Sequence, residues 1–312
     1  MSAPVISASN LVKAYKVKGK PDFLAVDGLS FEVAPGESFG LLGPNGAGKS
    51  TTMKMIGAVS TRTSGDLTIL GLDPDQYGPE IRSRLGVVPQ QDNLDGELNA
   101  RENLYIYGRY FGLPGKVCHQ KADELLAFAQ LEDKAKSKVD QLSGGMKRRL
   151  TIARGLINDP RILLLDEPTT GLDPQARRLV WDRIRTLKRD GTTILLTTHY
   201  MEEAAQLCDR LIVMDEGRIV AEGTEPELVR AHIGSEVVEV YLDPDAPEPP
   251  AVARLAAGPW RSERAGNVLY LYLTDGAAGP DLFATLEGLH FTRRRATLED
   301  VFLTLAGHAL RD

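Results

Sequence analysis

The order of apolar and polar positions divides the chain into stretches of different character. From its start to about Arg84 the sequence is rich in β-type runs and turns: "FLAVDGLSFEV" at 23–33 alternates, as a strand with one buried face does, and "APGE" is a Pro-Gly turn into the apolar "SFGLLG". "RILLLD", from Arg161 to Asp166, is instead an unbroken apolar run, the pattern of a central strand covered on both faces, and "TTILLTTH" from Thr192 resembles it. Both are expected to be parallel strands. From Ala100 to Ala129 the order is helical, with Leu104, Tyr107, Gly108 and Phe111, then Leu125, Leu126 and Phe128, so residues 92–152 are read as a helical insertion.

Past Ser235 the pattern changes again. "EVVEVYL" is a short strand, and "DPDAPEPPA" is a proline-rich break in which neither helix nor sheet is expected to persist. "NVLYLYLT" alternates cleanly and "DLFATLEGL" reads as helix. "TLEDVFLTL" places Thr297 as the N-cap of a helix with Leu298, Val301, Phe302 and Leu305 on one face. The expectation is an α/β chain with a first domain over 1–235, which holds the helical insertion, and a small C-terminal α/β domain over 236–312.

Composition narrows the class. At 312 residues the chain suits roughly two domains by length, and 42% hydrophobic residues can bury a sizeable core. No run of about 18 apolar residues occurs, so no membrane span is expected. "MSAPVISASN" lacks the basic start and apolar centre of a signal peptide, which points to the cytosol. Cys118 and Cys208 have no metal-ligand spacing and read as reduced structural thiols. A net charge of −6 argues against a protein that coats nucleic acid or an anionic membrane, and no nucleic-acid partner is expected. The short basic runs Lys147-Arg148-Arg149 and Arg293-Arg294-Arg295 read as solvated faces.

Chemistry enters at "GPNGAGKS", Gly43 to Ser50. Glycines at 43, 46 and 48 let backbone N–H groups turn inward around a polyphosphate, the helix that follows offers its positive end, Lys49 can reach the β and γ phosphates, and the Ser50 hydroxyl can ligate Mg²⁺. Asp166 ends the buried run, where its carboxylate can hold the metal through water, and Glu167 can accept a proton from an attacking water. His199 ends the other candidate strand and sits at the same sheet edge, as a structural imidazole or as part of the site. Ser143, Gly144 and Gly145 precede a helix with Met146, Leu150, Ala153 and Ile157 on one face, which makes either a glycine-rich cap or a second anion cradle. If two copies pair head to tail, the Ser143 turn of one can close over the Lys49 site of the other.

Taken in order, these motifs resemble those of the ATP-binding subunit of an ABC transporter. They are the phosphate loop "GPNGAGKST" (Gly43, Pro44, Asn45, Gly46, Ala47, Gly48, Lys49, Ser50 and Thr51), the glutamine loop around Gln90 in "VVPQQDNL", the signature "LSGGM", the strand "ILLLDEPT", the loop "GLDP" with Asp173, and the histidine of "TTHYMEEA", together covering about Val5 to Gly234. The resemblance implies an α/β P-loop NTPase fold of the ABC type with a helical subdomain, binding ATP and Mg²⁺. It implies Lys49, Gln90, Glu167 and His199 as catalytic, Ser50, Gln90 and Asp166 at the metal, and the phosphate loop, Ser143, Gly144, Gly145 and Asp173 at the nucleotide. Tyr15 in "LVKAYK" maps to the aromatic that stacks on adenine, or is a strand tyrosine of the core. Gln91 beside Gln90 leaves the glutamine assignment open by one residue, and Met146 departs from the glutamine common at the end of the signature.

More narrowly, "LSGGMKRRL", "TTHYMEEAAQLCDR" and "ATLEDVFLTLAG" are similar to bacterial exporter ATPases of the daunorubicin-resistance and nodulation-factor type, whose membrane channel is a separate polypeptide. This implies a homodimer on the cytoplasmic face of the membrane, bound to a separate transmembrane permease, with a C-terminal domain for regulation or dimerisation. The competing readings are an importer ATPase, a soluble mechanical ABC ATPase and a small-molecule kinase. A sugar importer would carry a longer β-barrel tail than 236–312 supplies. A mechanical ATPase would carry a coiled coil, zinc-ligand cysteines or two cassettes. A kinase leaves "LSGG" and His199 without roles.

Overall fold

Alternation in the first stretch becomes an antiparallel sheet. β1 (Ile6–Tyr15) pairs with β2 (Phe23–Val33), Ile6 opposite Val33 and Tyr15 opposite Phe23. The other edge of β1 pairs with β4 (Ser64–Ile69), which follows β3 (Ser38–Leu42) and helix α1 (Lys49–Ile56) in the chain. Leu29, Phe31 and Val33 point inward from β2, while Ser30 and Glu32 between them are exposed. In this computed structural model residues 3–19, 21–274 and 280–306 are described. Residues 275–279 and 307–312, both inside the expected C-terminal domain, lie outside that set. The chain divides into two compact units, Met1–Glu222 and Gly223–Asp312.

In the first unit α2 (Gly78–Ser83) leads to β5 (Leu85–Val88), and three helices follow: α3 (Ala100–Tyr110), α4 (Gly115–Ala129) and α5 (Gly144–Gly155). The helical order read over 100–129 is carried by two helices, because "FGLP" interrupts it with Gly112 at φ +76° and Pro114. Asn99 starts α3 with a reciprocal cap, its side chain accepting from the Glu102 N–H while the Glu102 carboxylate accepts from the Asn99 N–H, both at 2.9 Å. α5 ends at Gly155, so Ile157 lies beyond the helix on which it was expected, although it is fully buried.

The strands β6 (Ile162–Asp166), β7 (Thr193–Thr198), β8 (Arg210–Asp215) and β9 (Arg218–Gly223), separated by α6 (Pro174–Arg189) and α7 (Met201–Leu207), complete a second sheet in the order β5-β6-β7-β3-β8-β9. β5, β6, β7, β3 and β8 run parallel. As the unbroken run predicted, β6 is covered on both sides. Ile162 and Leu164 join one core with Phe39, Leu41, Met53 and Ile56, whereas Leu163 and Leu165 join another with Val180, Trp181 and Ile184 of α6. Each such side chain contributes about 1.5–3 kcal/mol by leaving water. A smaller core of Leu104, Leu126, Leu142 and Leu150 holds the helical insertion together.

The second unit opens with α8 (Glu225–His232) and folds β10 (Glu236–Tyr241), α9 (Pro250–Ala256), β11 (Arg261–Ala265), β12 (Val268–Leu273), α10 (Pro280–Leu286), β13 (His290–Arg295) and α11 (Leu298–Ala306) around an antiparallel sheet of order β11-β12-β10-β13. The proline-rich break ends sooner than expected, because its last proline starts α9, where a missing N–H costs nothing. Leu298, Val301 and Phe302 are buried on α11 and Leu305 is half-buried, as the periodicity predicted. Thr297 donates from its N–H and its hydroxyl to Asp300 at 2.8 and 3.1 Å. The basic run at 293–295 is more than a solvated face: Arg294 donates to both oxygens of the buried Asp300 and to Glu239, each at 2.7 Å.

Candidate active site

The carboxyl ends of β5, β6, β7 and β3 lie side by side, and candidate residues follow them: Glu167 directly after β6, His199 directly after β7, Gly43 directly after β3, and Gln90 two residues past the end of β5. In a parallel sheet this edge, beside the point where strand order reverses, is where ligands bind. After β3 the chain cannot continue straight, since a side chain at Gly43 would strike the Met214 carbonyl at 2.3 Å. Gly46 and Gly48 take φ +87° and +95°, a region other residues enter only under strain, and a Cβ at Gly48 would meet the Ala25 carbonyl at 2.3 Å. Gly48 caps α1 without a side chain, and among the described residues no side-chain cap hydrogen bond is made there. Asn45, Gly46 and Ser50 are exposed on this loop, Pro44, Gly48 and Thr51 are partly so, and Ala47 is buried beneath it.

Lys49 is 4% exposed and donates from Nζ to the Gly43 and Pro44 carbonyls at 2.7 and 2.9 Å. Burial draws its ammonium below the ordinary value, with Glu167 and Asp166 opposing. The Glu167 Oε1 atom lies 3.9 Å away. Ser50 Oγ donates to Asp166 Oδ1 at 3.4 Å, and Thr197 Oγ1 donates to the same oxygen at 2.5 Å. A hydroxyl beside a carboxylate is a hard oxygen pair that suits Mg²⁺, an ion that keeps several waters and shares substrate phosphates rather than filling an all-protein cage. No group of three or more His, Cys, Asp or Glu side chains among the described residues could hold a metal by itself.

Glu167 is where the other predicted residues meet. It is 7% exposed, and its φ of +44° turns the chain sharply away from the end of β6. Its N–H donates to the Thr197 carbonyl and hydroxyl, both at 3.1 Å, which ties the turn to β7. Oε2 accepts from Gln90 Nε2 at 2.9 Å and Thr170 Oγ1 at 3.1 Å. Nδ1 of His199 lies 3.2 Å from Oε1 without the alignment of a hydrogen bond. Gln90 therefore reaches Glu167, and among the described residues no hydrogen bond takes it to Ser50 or Asp166. A carboxylate held in this way beside a phosphate cradle can take a proton from a water molecule.

Two predicted groups stand apart from this cluster. Ser143 caps α5, its Oγ accepting from the Met146 N–H at 3.3 Å, and Ser143 and Gly144 are exposed. No hydrogen bond or ion pair among the described residues joins this turn to Lys49. Its neighbour is the start of α6, where a Cβ at Gly145 would lie 2.8 Å from that of Ala176 and Asp173 Oδ1 accepts from the Gln175 and Ala176 N–H groups at 3.0 and 2.9 Å. Tyr15 ends β1, 39% exposed, with Lys13 Nζ 5.2 Å from its ring centroid. It pairs with Phe23, two residues before the Ala25 that backs Gly48.

Sequence reasoning missed Arg148 and Glu203. Arg148, read as part of a solvated run, is 4% exposed and donates to the carbonyls of Pro89, Gln90, Asp166, Glu167 and Pro168. Glu203 is fully buried on α7 and accepts from Thr169 Oγ1 at 2.7 Å and Trp181 Nε1 at 3.1 Å. Burial pushes its carboxyl up, opposed by hydrogen bonds from Thr198, Thr169 and Trp181 and by the charge of Arg148. The signal for Arg148 was Ile152, four residues on along the same helix face, which packs against the sheet.

The chain is similar to known proteins along its whole length. Residues 26–170 match the family described as ABC transporter, and residues 251–307 match the C-terminal domain of the nodulation factor export protein NodI. The chain is 50% identical over 293 residues to the Nod factor export ATP-binding protein I of Burkholderia lata, covering 93% of this chain and 95% of that protein. It is 48% identical over 313 residues to the protein of the same name from Burkholderia pseudomallei, covering both chains entirely. Among solved structures it resembles a dimeric ATP-binding cassette in a post-hydrolysis state with ADP and Pi bound, at a TM-score of 0.65 and 31% identity over 70% of this chain and 98% of that one. It also resembles a Clostridium perfringens subunit of an ABC transporter complex, at a TM-score of 0.66 and 27% identity over 74% of this chain and 92% of that one.

Proposed function

The chain belongs to the ABC transporter family of ATP-binding proteins, and on that premise we propose that it is the ATP-hydrolysing subunit of an exporter, of the kind that its relatives serve in Nod factor export. The observation that carries this reading is the meeting of Lys49, Gln90 and His199 at Glu167, beside a glycine loop that leads into a helix start with no side-chain cap. The loop binds the phosphates of ATP through its backbone N–H groups and Lys49. Glu167 takes a proton from a water whose oxygen bonds to the γ phosphorus. The bond from that phosphorus to the bridging oxygen breaks, leaving ADP and phosphate. A magnesium ion held by Ser50 and Asp166 would neutralise phosphate charge when bound. Gln90 and His199 hold the carboxylate and the water in place.

The exposed Ser143 turn serves a second copy in this reading, adding its N–H groups to the partner's Lys49 site, with Asp173 alongside. The membrane partner docks on an open groove of about 550 Å³ lined by Val59, Arg82, Val87, Tyr107, Tyr110 and Phe111, where Tyr110 is 79% exposed and Val59 69%. The groove reaches Val87, three residues before Gln90, so movement of Gln90 is felt there. No helix among the described residues is long and apolar enough to cross a membrane. Attachment at the cytoplasmic face runs through a separate permease in this reading, and the C-terminal unit serves regulation or dimerisation. Glu167→Gln tests the central claim: it should bind Mg-ATP and cleave it about 10²–10⁴-fold more slowly. Near-normal turnover would remove Glu167 from the role.

A further inference from the structure

We propose that Arg148 is a positioning residue that sets the backbone of the Glu167 turn and of the Gln90 loop together, so that the placement of α5 governs how fast Glu167 can take its proton. The proposal rests on the reading of Glu167 as the base. A guanidinium has five N–H donors in a fixed fork. Here Nε donates to Pro168 O at 2.6 Å, Nη2 to Asp166 O and Glu167 O at 3.1 and 3.2 Å, and Nη1 to Pro89 O and Gln90 O. Each N–H thus meets a main-chain carbonyl, and Asp92 lies 3.7 Å away as counter-charge.

The arrangement follows from the bend. In a straight strand successive carbonyls alternate in direction, so three in a row cannot face one group. At Asp166, Glu167 and Pro168 they do, because Glu167 sits at φ +44°. The bend that brings its carboxylate to Lys49 and Gln90 turns these three carbonyls toward the buried Arg148, which donates to each of them, and the Glu167 carbonyl also accepts from the Thr170 N–H at 3.4 Å. The same fork holds both residues of the Gln90 loop whose carbonyls face it. A lysine at this depth has one nitrogen and cannot span both segments. Glu203 meets Thr169, the next residue of the turn, from α7, so the catalytic segment is held by a cation from one helix and a carboxylate from another. α5 also begins at Ser143, so whatever engages that turn acts on the helix that carries Arg148.

The test uses the full chain with Arg148→Lys and Arg148→Gln, alone and combined with Glu167→Gln, reading kcat and KM for Mg-ATP, binding of a non-hydrolysable ATP analogue, and melting temperature. Arg148→Lys should lower kcat about 10- to 100-fold, the loss expected when a reacting group is misplaced by about 1 Å. Analogue affinity should change less than about threefold, the scale of uniform binding effects. In the Glu167→Gln background the same substitution should change the residual rate by less than about threefold, since its route of action is already gone. Equal losses in both backgrounds, or kcat and affinity falling together, would overturn the proposal, as would failure of both variants to fold, which would make Arg148 a structural residue. Wild-type turnover in Arg148→Lys with an inactive Glu167→Gln sinks the proposal alone. Wild-type turnover in Glu167→Gln sinks the base assignment and the proposal with it.

Discussion

The amide of Gln90 donates to Glu167 Oε2 at 2.9 Å, so the loop after β5 and the turn after β6 share one hydrogen bond at the centre of the site. Gln90→Ala removes that bond and should lower kcat about tenfold, the value of one hydrogen bond to a charged group at the lower end of its range, with little change in ATP affinity. An unchanged kcat in Gln90→Ala would show that the contact is not made during turnover.

Composite sites can be tested with mixed dimers. If each site is composite, Glu167→Gln should disable the site that contains its own phosphate loop, whereas Ser143→Ala should weaken the partner's. In a heterodimer both lesions fall in one site and the other is intact. Tagged heterodimers, purified away from both homodimers, should regain single-turnover ATP cleavage. Cleavage no faster than in the Glu167→Gln homodimer would leave Ser143 as a helix cap only.

The glycine loop predicts two different costs. Gly46→Ala meets open space but must hold φ +87°, a strain of about 1–3 kcal/mol. Gly48→Ala carries similar strain and also drives its Cβ to 2.3 Å from the Ala25 carbonyl, so β2 or α1 must shift. Chemical denaturation should rank Gly48→Ala as the more damaging, and equal losses would mean the loop relaxes freely.

Acid should loosen α11. Burial pushes the Asp300 carboxyl up, but Arg294 and Thr297 more than offset it and hold it below its ordinary value of 3.8. A depressed carboxyl stabilises the fold above the unfolded value and loses that contribution as pH falls through the folded one. Asp300→Asn should cost about 1.5–3 kcal/mol at pH 7, read as faster hydrogen exchange in 290–306, and the difference from wild type should shrink below about pH 4.

Legibility in the sequence followed how local each signal was. The loop Gly43–Ser50 and the acids after β6 were readable because glycine spacing and an unbroken apolar run belong to neighbouring residues. Gln90 had no such signal and entered through resemblance alone, since its meaning depends on Glu167, 77 residues away. Arg148 was misread because charge in a basic run points to solvent unless the opposite side of the helix is also covered, which Ile152 reveals only once the sheet is known. α9 and β11 were hidden by prolines and by the polar "RSERA", a strand at the sheet edge that needs no apolar alternation.

The place of β3 in its sheet also bears on how the protein is made. Ser38 pairs with Ile194 and Phe39 with Arg210, so the strand that leads into the phosphate loop has both its sheet partners in chain synthesised long after it. At about 5–20 residues per second on the ribosome, the interval before β7 emerges is about 10–30 s. Throughout it the apolar "SFGLL" segment must be sheltered by something other than its own sheet. Slowed translation between 160 and 190 should lengthen that exposure and lower the soluble yield, while leaving the activity of each folded molecule unchanged.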